Sequence, residues 1–339
     1  MSDYSAIDRI FHRIVLPSSA FGEMLGDLDG AFTPKDAPSP ERPVYVTGLA
    51  RAGTTVLMRA LYGSGDFASL TYADMPMVMA PNLWARLSRR FSKDRVATER
   101  AHGDGVFVDF DAPEALEEVF WRVHCGQEYI RPDALIPHNL DEKALAAYRT
   151  YVSRICARYG KKRYLAKNNN LMLRINALNK AMPDARFLVA VRDPIAQAQS
   201  LLNQHNRFAR ADAFTAAYMR WLVHHEFGAD ARPYSLTDQP MPTADRDSIN
   251  YWLTLWIACY GWLLNAIEAS SGGLRAVVYE VLCADPEEWR RVAAFACVEG
   301  SDDPGFRSAS PMPDAPSGAD SALVEHARAL YSRFEALTS

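Results

Sequence analysis

A glycine-containing loop between an apolar run and a helix-forming run constrains the fold of this chain more than any other feature. The run Val44–Thr47 is typical of a buried strand, and residues 56–61 are rich in good helix formers. Between them, residues 48–55 read Gly-Leu-Ala-Arg-Ala-Gly-Thr-Thr. A strand that turns into a helix through such a loop presents backbone N–H groups and a helix N-terminus to an anion. The sequence therefore predicts an α/β domain with a phosphate-binding loop.

The loop differs from the nucleoside-triphosphate pattern GxxxxGK[ST] at the position that normally carries lysine. Thr54 occupies that position, and the cation of the loop is Arg51 instead. Gly48 and Gly53 allow a tight turn and the close approach of a phosphate. These residues favour a single phosphate beside an arginine over a triphosphate, with an ordinary strand-to-helix turn as the alternative.

Further strands and helices alternate along the chain, which favours a central parallel sheet flanked by helices. We predict strands at 163–167, 186–191 and 274–279, and helices at 111–123, 171–182, 195–205, 213–227, 249–269, 286–297 and 322–337. We predict a proline-rich lead-in over residues 1–42, one domain over 43–300, and a Ser/Pro-rich segment with a C-terminal helix over 301–339.

The composition of the chain indicates which kinds of partner and which cellular compartment to expect. The 339 residues contain 37 Lys and Arg against 41 Asp and Glu, and a net charge of −4 argues against a nucleic-acid-binding protein. We expect no transmembrane segment, because no apolar run approaches about 20 residues, and no signal peptide, because residues 1–15 carry several charges. Five scattered cysteines without a CxxC spacing predict reduced thiols in a cytoplasmic protein, and no motif predicts a bound metal.

A second candidate anion site follows the predicted strand at 186–191. Arg192 ends this strand, Asp193 is a natural cap for the next helix, and Pro194 suits its first turn. Ser200 follows Arg192 by eight residues, about two turns along that helix. Arginine can bind a phosphate through two hydrogen bonds, and a serine hydroxyl can add a third.

Together, the loop at 48–55, the segment 187–194 and Ser200 resemble the paired signatures of the sulfotransferase family. A third segment, Val-Val-Tyr-Glu-Val-Leu-Cys-Ala-Asp-Pro at 277–286, resembles another segment of that family, although Val281 stands where an acidic residue is usual. The resemblance covers roughly residues 43 to 300. It implies the P-loop-like sulfotransferase fold, a parallel sheet of about four or five strands flanked by helices.

The resemblance also implies the chemistry. The family transfers a sulfuryl group from 3′-phosphoadenosine 5′-phosphosulfate (PAPS) to an acceptor and generally uses no metal. The first motif would hold the 5′-phosphosulfate, with Arg51 stabilising the leaving phosphate as a catalytic residue, and the second would hold the 3′-phosphate. The nucleotide-binding residues implied are Gly48, Arg51, Ala52, Gly53, Thr54, Thr55, Arg192 and Ser200.

The acceptor must lose a proton, and the sequence offers several candidate bases. Asp74 comes soon after the loop helix, where related enzymes carry an acidic residue, and His102 lies between residues that suit a ligand-facing turn. Glu114, Glu117 and Glu118 are predicted on one solvated helix face, from which they could also border an acceptor pocket. The adjacent His224 and His225 are interpreted as solvated or core residues.

The sequence leaves the acceptor and the oligomeric state open. A carbohydrate, a lipid or another small molecule fits aromatic-rich segments at 72–84 and 252–262, which core packing explains equally well. Two alternative functions stay open, a P-loop kinase or NTPase-like phosphoryl transferase and a non-catalytic nucleotide-binding protein.

Overall fold

The computed structural model describes residues 6–88, 98–99, 107–108, 113–299, 304–307 and 313–338. The strands are β1 Val44–Thr47, β2 Phe67–Ala68, β3 Thr98–Glu99, β4 Phe107–Val108, β5 Arg163–Lys167, β6 Arg186–Val191 and β7 Leu274–Val278. The helices are α1 Ala6–Val15, α2 Ser19–Gly30, α3 Thr54–Tyr62, α4 Pro81–Ser88, α5 Glu118–Tyr129, α6 Glu142–Tyr159, α7 Ile175–Ala181, α8 Pro194–Phe208, α9 Ala213–Trp221, α10 Ile249–Ala269, α11 Tyr279–Ala284, α12 Pro286–Phe295 and α13 Ser321–Thr338.

Five strands form the central sheet in the order β2-β5-β1-β6-β7, and every neighbouring pair is parallel. Strands β3 and β4 pair separately as an antiparallel ribbon. Every residue of β1 is buried, as is typical of a strand covered on both faces. The structure confirms the predicted α/β class with a parallel sheet.

Side chains that alternate along the strands build a separate core on each face of the sheet. On β1, Tyr45 joins the larger core, while Val44 and Val46 join the smaller one. The larger core also takes residues of α6, α8, α10 and α13, and the smaller one is closed by α3, α11 and α12. Because helices cover both faces, the edge formed by the strand ends is where a ligand can reach the sheet.

Several predicted elements differ from the structure in their extent. The predicted helix 171–182 is a 3-10 turn over Asn169–Leu173 followed by α7, and the predicted helix 213–227 stops at Trp221. The lead-in over residues 1–42 contains two helices, α1 and α2. The two-residue strand β2 was not predicted, because it is too short to show an alternating pattern.

The prediction of a solvated acidic face at 114–118 is wrong. Helix α5 begins only at Glu118, and Glu114, Glu117 and Glu118 are 6 %, 1 % and 3 % exposed. Glu117 accepts hydrogen bonds from Trp121 and from tyrosines of α6 and β5, so distant segments supply its partners. Burial raises the pKa of Glu117. These contacts could not be read from the spacing of the three glutamates.

The aromatic residues of α10 pack in the interior. Trp252, Trp256 and Tyr260 are fully buried in the larger core, and Trp262 donates a hydrogen bond to Met172 O. Core packing therefore explains this segment. None of the described helices is long and apolar enough to span a membrane.

Candidate functional site

The candidate functional residues lie where the parallel strands end. The glycine loop follows β1, Arg192 follows β6, and Tyr279 follows β7. Since parallel strands point the same way, their carboxyl ends meet at one edge of the sheet, which is the usual ligand-binding edge of such folds. The topology thus brings together three motifs that are spread over more than 200 residues of the sequence.

The loop after β1 is shaped by backbone conformations that favour glycine. Gly48 has a φ of 137°, and a Cβ there would collide with Ala190 O on β6. Gly53 has a φ of 87°, and a Cβ would lie 2.5 Å from the ring of Tyr279. Arg51 adopts a φ of 72°, in the left-handed region that non-glycine residues rarely occupy. Backbone strain at a non-glycine residue is typical of functional sites.

The buried side-chain amide of Gln197 forms hydrogen bonds with the backbone of this loop. Its Nε2 donates to Leu49 O at 3.0 Å and to Ala50 O at 2.9 Å. Its Oε1 accepts from Trp256 Nε1 at 3.0 Å and from the Tyr260 hydroxyl at 3.1 Å. In a trans peptide the carbonyl and the N–H point in opposite directions. Because Gln197 holds the Leu49 and Ala50 carbonyls, the N–H groups of Ala50 and Arg51 point away from Gln197.

Helix α3 completes the loop, and no side chain in the described part of the protein caps its N-terminus. Gly53 is its N-cap and supplies no capping side chain. Thr54 is buried in the first turn, and Thr55 beside it is partly exposed. The first N–H groups of a helix have no intrahelical partner and favour an anion. The loop and the first turn of α3 therefore form a cradle of backbone N–H groups suited to an anion, with the two threonine hydroxyls in that first turn.

Two arginines and a serine from the two predicted motifs form one cluster at this cradle. Arg51 Nε donates to Ser200 Oγ at 3.0 Å, and Arg192 Nη1 donates to Arg51 O at 3.2 Å. The Arg192 guanidinium lies 5.5 Å from the centroid of the Tyr279 ring. Arg192 Nε is buried without a hydrogen-bond partner among the residues that the structure describes. The cluster thus holds positive charge and an unused buried donor beside the loop.

Carboxylates behind the cluster fix its backbone. Asp193 caps α8 by accepting from Ala196 N at 2.8 Å, and its own N–H donates to Glu280 Oε1 at 3.1 Å. The Tyr331 hydroxyl of α13 donates to Glu280 Oε2 at 2.8 Å. Burial raises the pKa of Glu280 despite these two donors. The second and third motifs and the C-terminal helix are therefore linked through Glu280.

Sequence reasoning missed the positioning residues Gln197, Tyr279 and Glu280. Tyr279 and Glu280 belong to the third motif, so the sequence indicated that they are part of a motif but did not indicate their contacts. Gln197 gave one usable signal, a polar residue three positions after Pro194 on a helix whose neighbours Ile195, Ala198 and Leu201 are apolar.

The candidate bases have different surroundings. Asp74 is 1 % exposed, and its Oδ2 accepts from Thr71 N at 2.9 Å and from the Tyr159 hydroxyl at 2.6 Å. Burial raises the pKa of Asp74 despite these hydrogen bonds. The pair Thr71–Asp74 forms a capping box on a 3-10 turn, which is a structural role for the carboxylate. His102 lies outside the described residues.

Glu118 is also engaged within the fold. It accepts two hydrogen bonds from Arg174, at 2.8 and 2.9 Å, and one each from Tyr129 and Asn168. Glu114 forms a 3.6 Å ion pair with Arg59 of α3. Among the side chains that the structure describes, no group of three or more His, Cys, Asp or Glu residues is arranged to hold a metal ion.

The parallel sheet, with a glycine loop between β1 and α3 at its edge, defines an α/β class with a P-loop-like fold. The sequence model of the sulfotransferase family matches residues 43–302, and the chain belongs to that family. A search of curated proteins gave no match.

Solved structures provide an independent comparison. A sulfotransferase from Mycobacterium tuberculosis H37Rv, STF1, has a TM-score of 0.53 and 16 % identity, covering 98 % of this chain and 87 % of that one. Sulfotransferase STF9 from Mycobacterium avium has a TM-score of 0.47 and 16 % identity, covering 98 % and 79 %. A sulfotransferase from Alicyclobacillus acidocaldarius has a TM-score of 0.40 and 17 % identity, covering 88 % and 96 %. The likeness to STF1 supports the sulfotransferase fold.

Proposed function

We propose that this protein transfers a sulfuryl group from PAPS to a hydroxyl or amine of a carbohydrate, lipid or other small-molecule acceptor in the cytoplasm. Family membership supports sulfuryl transfer. The observation that carries the donor assignment is the cluster of Arg51, Arg192 and Ser200 at the anion cradle. Two guanidinium groups beside such a loop suit a ligand with more than one phosphate group.

The residues present fit such a nucleotide. At Gly48 and Gly53 a side chain would fill the space through which the loop backbone packs, so the cradle depends on both glycines. Arg192 Nε is a buried donor that a phosphate oxygen could accept from. The N-terminus of α3 adds N–H groups that have no partner within the helix and whose partial positive charge favours an anion.

Each residue then has a separate role. When bound, PAPS supplies the electrophilic sulfuryl group. Arg51 and the N–H groups from Ala52 and Gly53 stabilise negative charge on the leaving 5′-phosphate, and Thr54 and Thr55 donate to it. Arg192 and Ser200 hold the 3′-phosphate. Since Arg51 already donates to Ser200, the two phosphate sites share a hydrogen-bond link, and no metal is required for this charge stabilisation.

The proton of the acceptor needs a base that solvent or substrate can reach. Asp74 and His102 are the bases proposed from sequence. Both bonded contacts of Asp74 are made inside the fold, and the residue is almost fully buried. Turnover of Asp74→Asn and His102→Ala is therefore the direct test of these two residues.

Two measurements test the proposed function. Calorimetry compares binding of adenosine 3′,5′-bisphosphate with binding of ATP, and we expect tight binding of the bisphosphate alone. Transfer from PAPS carrying labelled sulfate is then measured against carbohydrates, lipids, phenols and amines. Preferred binding of ATP would support a phosphoryl transferase instead, and bisphosphate binding without transfer to any acceptor would support a non-catalytic binding protein.

A further inference from the structure

A second polar cluster lies at the same edge of the sheet, on the other side of the glycine loop from Arg192. The end of β5 is joined to the end of β1, because Asn168 N donates to Val46 O at 2.9 Å and Thr47 Oγ1 donates to Asn169 O at 3.5 Å. Thr47 directly precedes Gly48, so Asn169 lies beside the start of the anion cradle. In the strand order, this places Asn169 opposite the arginine cluster at β6.

Asn169 connects the cradle to a carboxylate and an imidazole. Its Nδ2 donates to Glu226 Oε1 at 2.8 Å, and Glu226 Oε2 lies 3.6 Å from His224 Nδ1. Asn169 and Glu226 are 6 % and 4 % exposed, whereas the His224 side chain is 27 % exposed. A buried carboxylate therefore faces one ring nitrogen of a histidine that solvent can reach.

The segment that carries the histidine is held in a strained conformation. Val223 has a φ of 56°, a rare conformation for a β-branched residue, and it is fully buried. Asn170 Nδ2 donates to Val223 O at 3.0 Å, and the Tyr234 hydroxyl donates to Asn170 Oδ1 at 2.8 Å. The turn that begins after α9 is thus fastened to the end of β5, and this fixes where His224 emerges. Strain kept in place by such contacts is typical of functional segments.

Two polar atoms of this cluster form no hydrogen bond with the described residues. Asn169 Oδ1 and Glu226 Oε2 are buried and have no hydrogen-bond partner among the described residues. The 3.6 Å separation of Glu226 Oε2 from His224 Nδ1 is longer than a hydrogen bond. Contacts between catalytic groups are often long before the substrate is bound. A purely structural cluster would be expected to satisfy these atoms.

The neighbours of His224 are a buried carboxylate, a second histidine and an ion pair. Burial opposes ionisation of Glu226, but His224 and the hydrogen bond from Asn169 outweigh it and lower the pKa of Glu226 to about 2. The next residue, His225, is buried, and its Nδ1 forms a hydrogen bond with Asp230 O. Arg220 and Asp230 pair with each other at 2.7 Å nearby.

We propose that His224 is the general base of this sulfotransferase and that Glu226, held by Asn169, is its positioning residue. The proposal rests on the proposed function. With the Nδ1 proton directed at Glu226, Nε2 carries the free electron pair. The acceptor O–H or N–H bond breaks as Nε2 takes the proton, the acceptor atom bonds to sulfur, and the bond from sulfur to the 5′-phosphate oxygen breaks with its electrons on that oxygen.

The test compares acceptors of different acidity. A general base matters most for a weakly acidic acceptor and least for one that is already acidic. For a phenol-accepting enzyme the probes are phenol and 4-nitrophenol, and for another class a matched pair is taken from the acceptors that the labelled-PAPS screen identifies. We expect His224→Gln to lose about 10²–10⁴-fold in turnover with the weakly acidic acceptor and far less with the acidic one. Glu226→Gln should show the same dependence on acidity with a smaller loss.

Controls separate this role from a structural one. His326→Gln makes the same substitution at an exposed position of α13 and should leave turnover unchanged. Adenosine 3′,5′-bisphosphate binding and thermal unfolding of His224→Gln should match those of the wild type. An equal loss with both acceptors, or an acidity-dependent loss in Asp74→Asn or His102→Ala while His224→Gln is normal, overturns the assignment. A wild type that binds the bisphosphate but transfers sulfate to no acceptor overturns the proposed function itself.

Discussion

The arginines on the two sides of the glycine loop differ in their exposure and in their partners. On the β6 side, Arg51 and Arg192 are partly exposed. The nearby carboxylates of Asp193 and Glu280 accept hydrogen bonds from backbone N–H groups and from a tyrosine hydroxyl. On the β5 side, the cation Arg174 is fully buried in a two-bond pair with Glu118. The two arginines on the β6 side are thus accessible to a ligand, whereas Arg174 on the β5 side is neutralised inside the fold by Glu118. In the proposed function, the donor phosphates would therefore bind on the β6 side of the loop.

The largest effect expected from this comparison is on stability and lies on the β5 side. Arg174→Met leaves Glu118 buried without its cation, and we expect the free energy of unfolding to fall by about 3–5 kcal/mol. Urea unfolding measures this change. Arg333→Met is the matched control, because it removes an exposed ion pair with Glu268 and should cost at most about 1 kcal/mol. Equal losses in the two variants would contradict the comparison.

On the β6 side the main effect should be on turnover. Arg51→Ala removes a preorganised cation from the leaving phosphate, and we expect turnover to fall by about 10²–10³-fold. Labelled-PAPS transfer measures the rate, and urea unfolding should show a much smaller change than that in Arg174→Met. Turnover close to that of the wild type would remove Arg51 from the catalytic role.

Arg192 should govern the choice between two donors. Arg192→Ala loses a charge-assisted contact of about 1.5–3 kcal/mol, so the preference for PAPS over adenosine 5′-phosphosulfate should fall by roughly 10- to 150-fold. Rates with both donors give this ratio. If the variant keeps the full preference, another residue recognises the 3′-phosphate.

The smallest effect is expected at Asp74, within the β5 side. Asp74→Asn replaces an oxygen that accepts from Thr71 and Tyr159, and we expect a loss of about 1 kcal/mol in stability at pH 4. A role for Asp74 as the base predicts instead a 10²–10⁴-fold loss of turnover with normal donor binding. Measuring unfolding and turnover in the same variant separates the two roles.

The pH dependence of that stability difference has a definite sign. Burial raises the pKa of Asp74 in the fold, so the native state favours the protonated carboxyl. Its contribution is fully present below the unfolded pKa and is lost as pH rises through the higher folded pKa. Asparagine does not titrate, so the stability gap between wild type and Asp74→Asn should narrow from pH 4 to pH 8. A gap that widens would show that the ionised form is the stabilising one.

Much of the fold could be predicted from local patterns, because buried parallel strands are short apolar runs. Strands β5 and β6 were predicted with their observed bounds, and β7 was predicted one residue too long. The Gly48–Thr55 loop was recognisable because it lies between a strand and a helix and carries glycines where the backbone needs them.

The positioning residues were harder to predict because their partners are distant in sequence. Glu117 looks like a surface residue until Tyr148 and Tyr164 are placed beside it. Likewise, the contact between His224 and Glu226 depends on a strained turn and on Asn169 of another segment. No periodicity or spacing reports a contact of this kind.

The hold of Gln197 on the glycine loop has a consequence for the order of events in binding. Because Gln197 already holds the Leu49 and Ala50 carbonyls, this part of the loop loses its conformational freedom when the chain folds, before the proposed nucleotide arrives. Association then requires little rearrangement of the backbone, which favours a fast encounter with a rigid site. A chain lacking this amide would have to order the loop around each incoming ligand and would bind it more slowly.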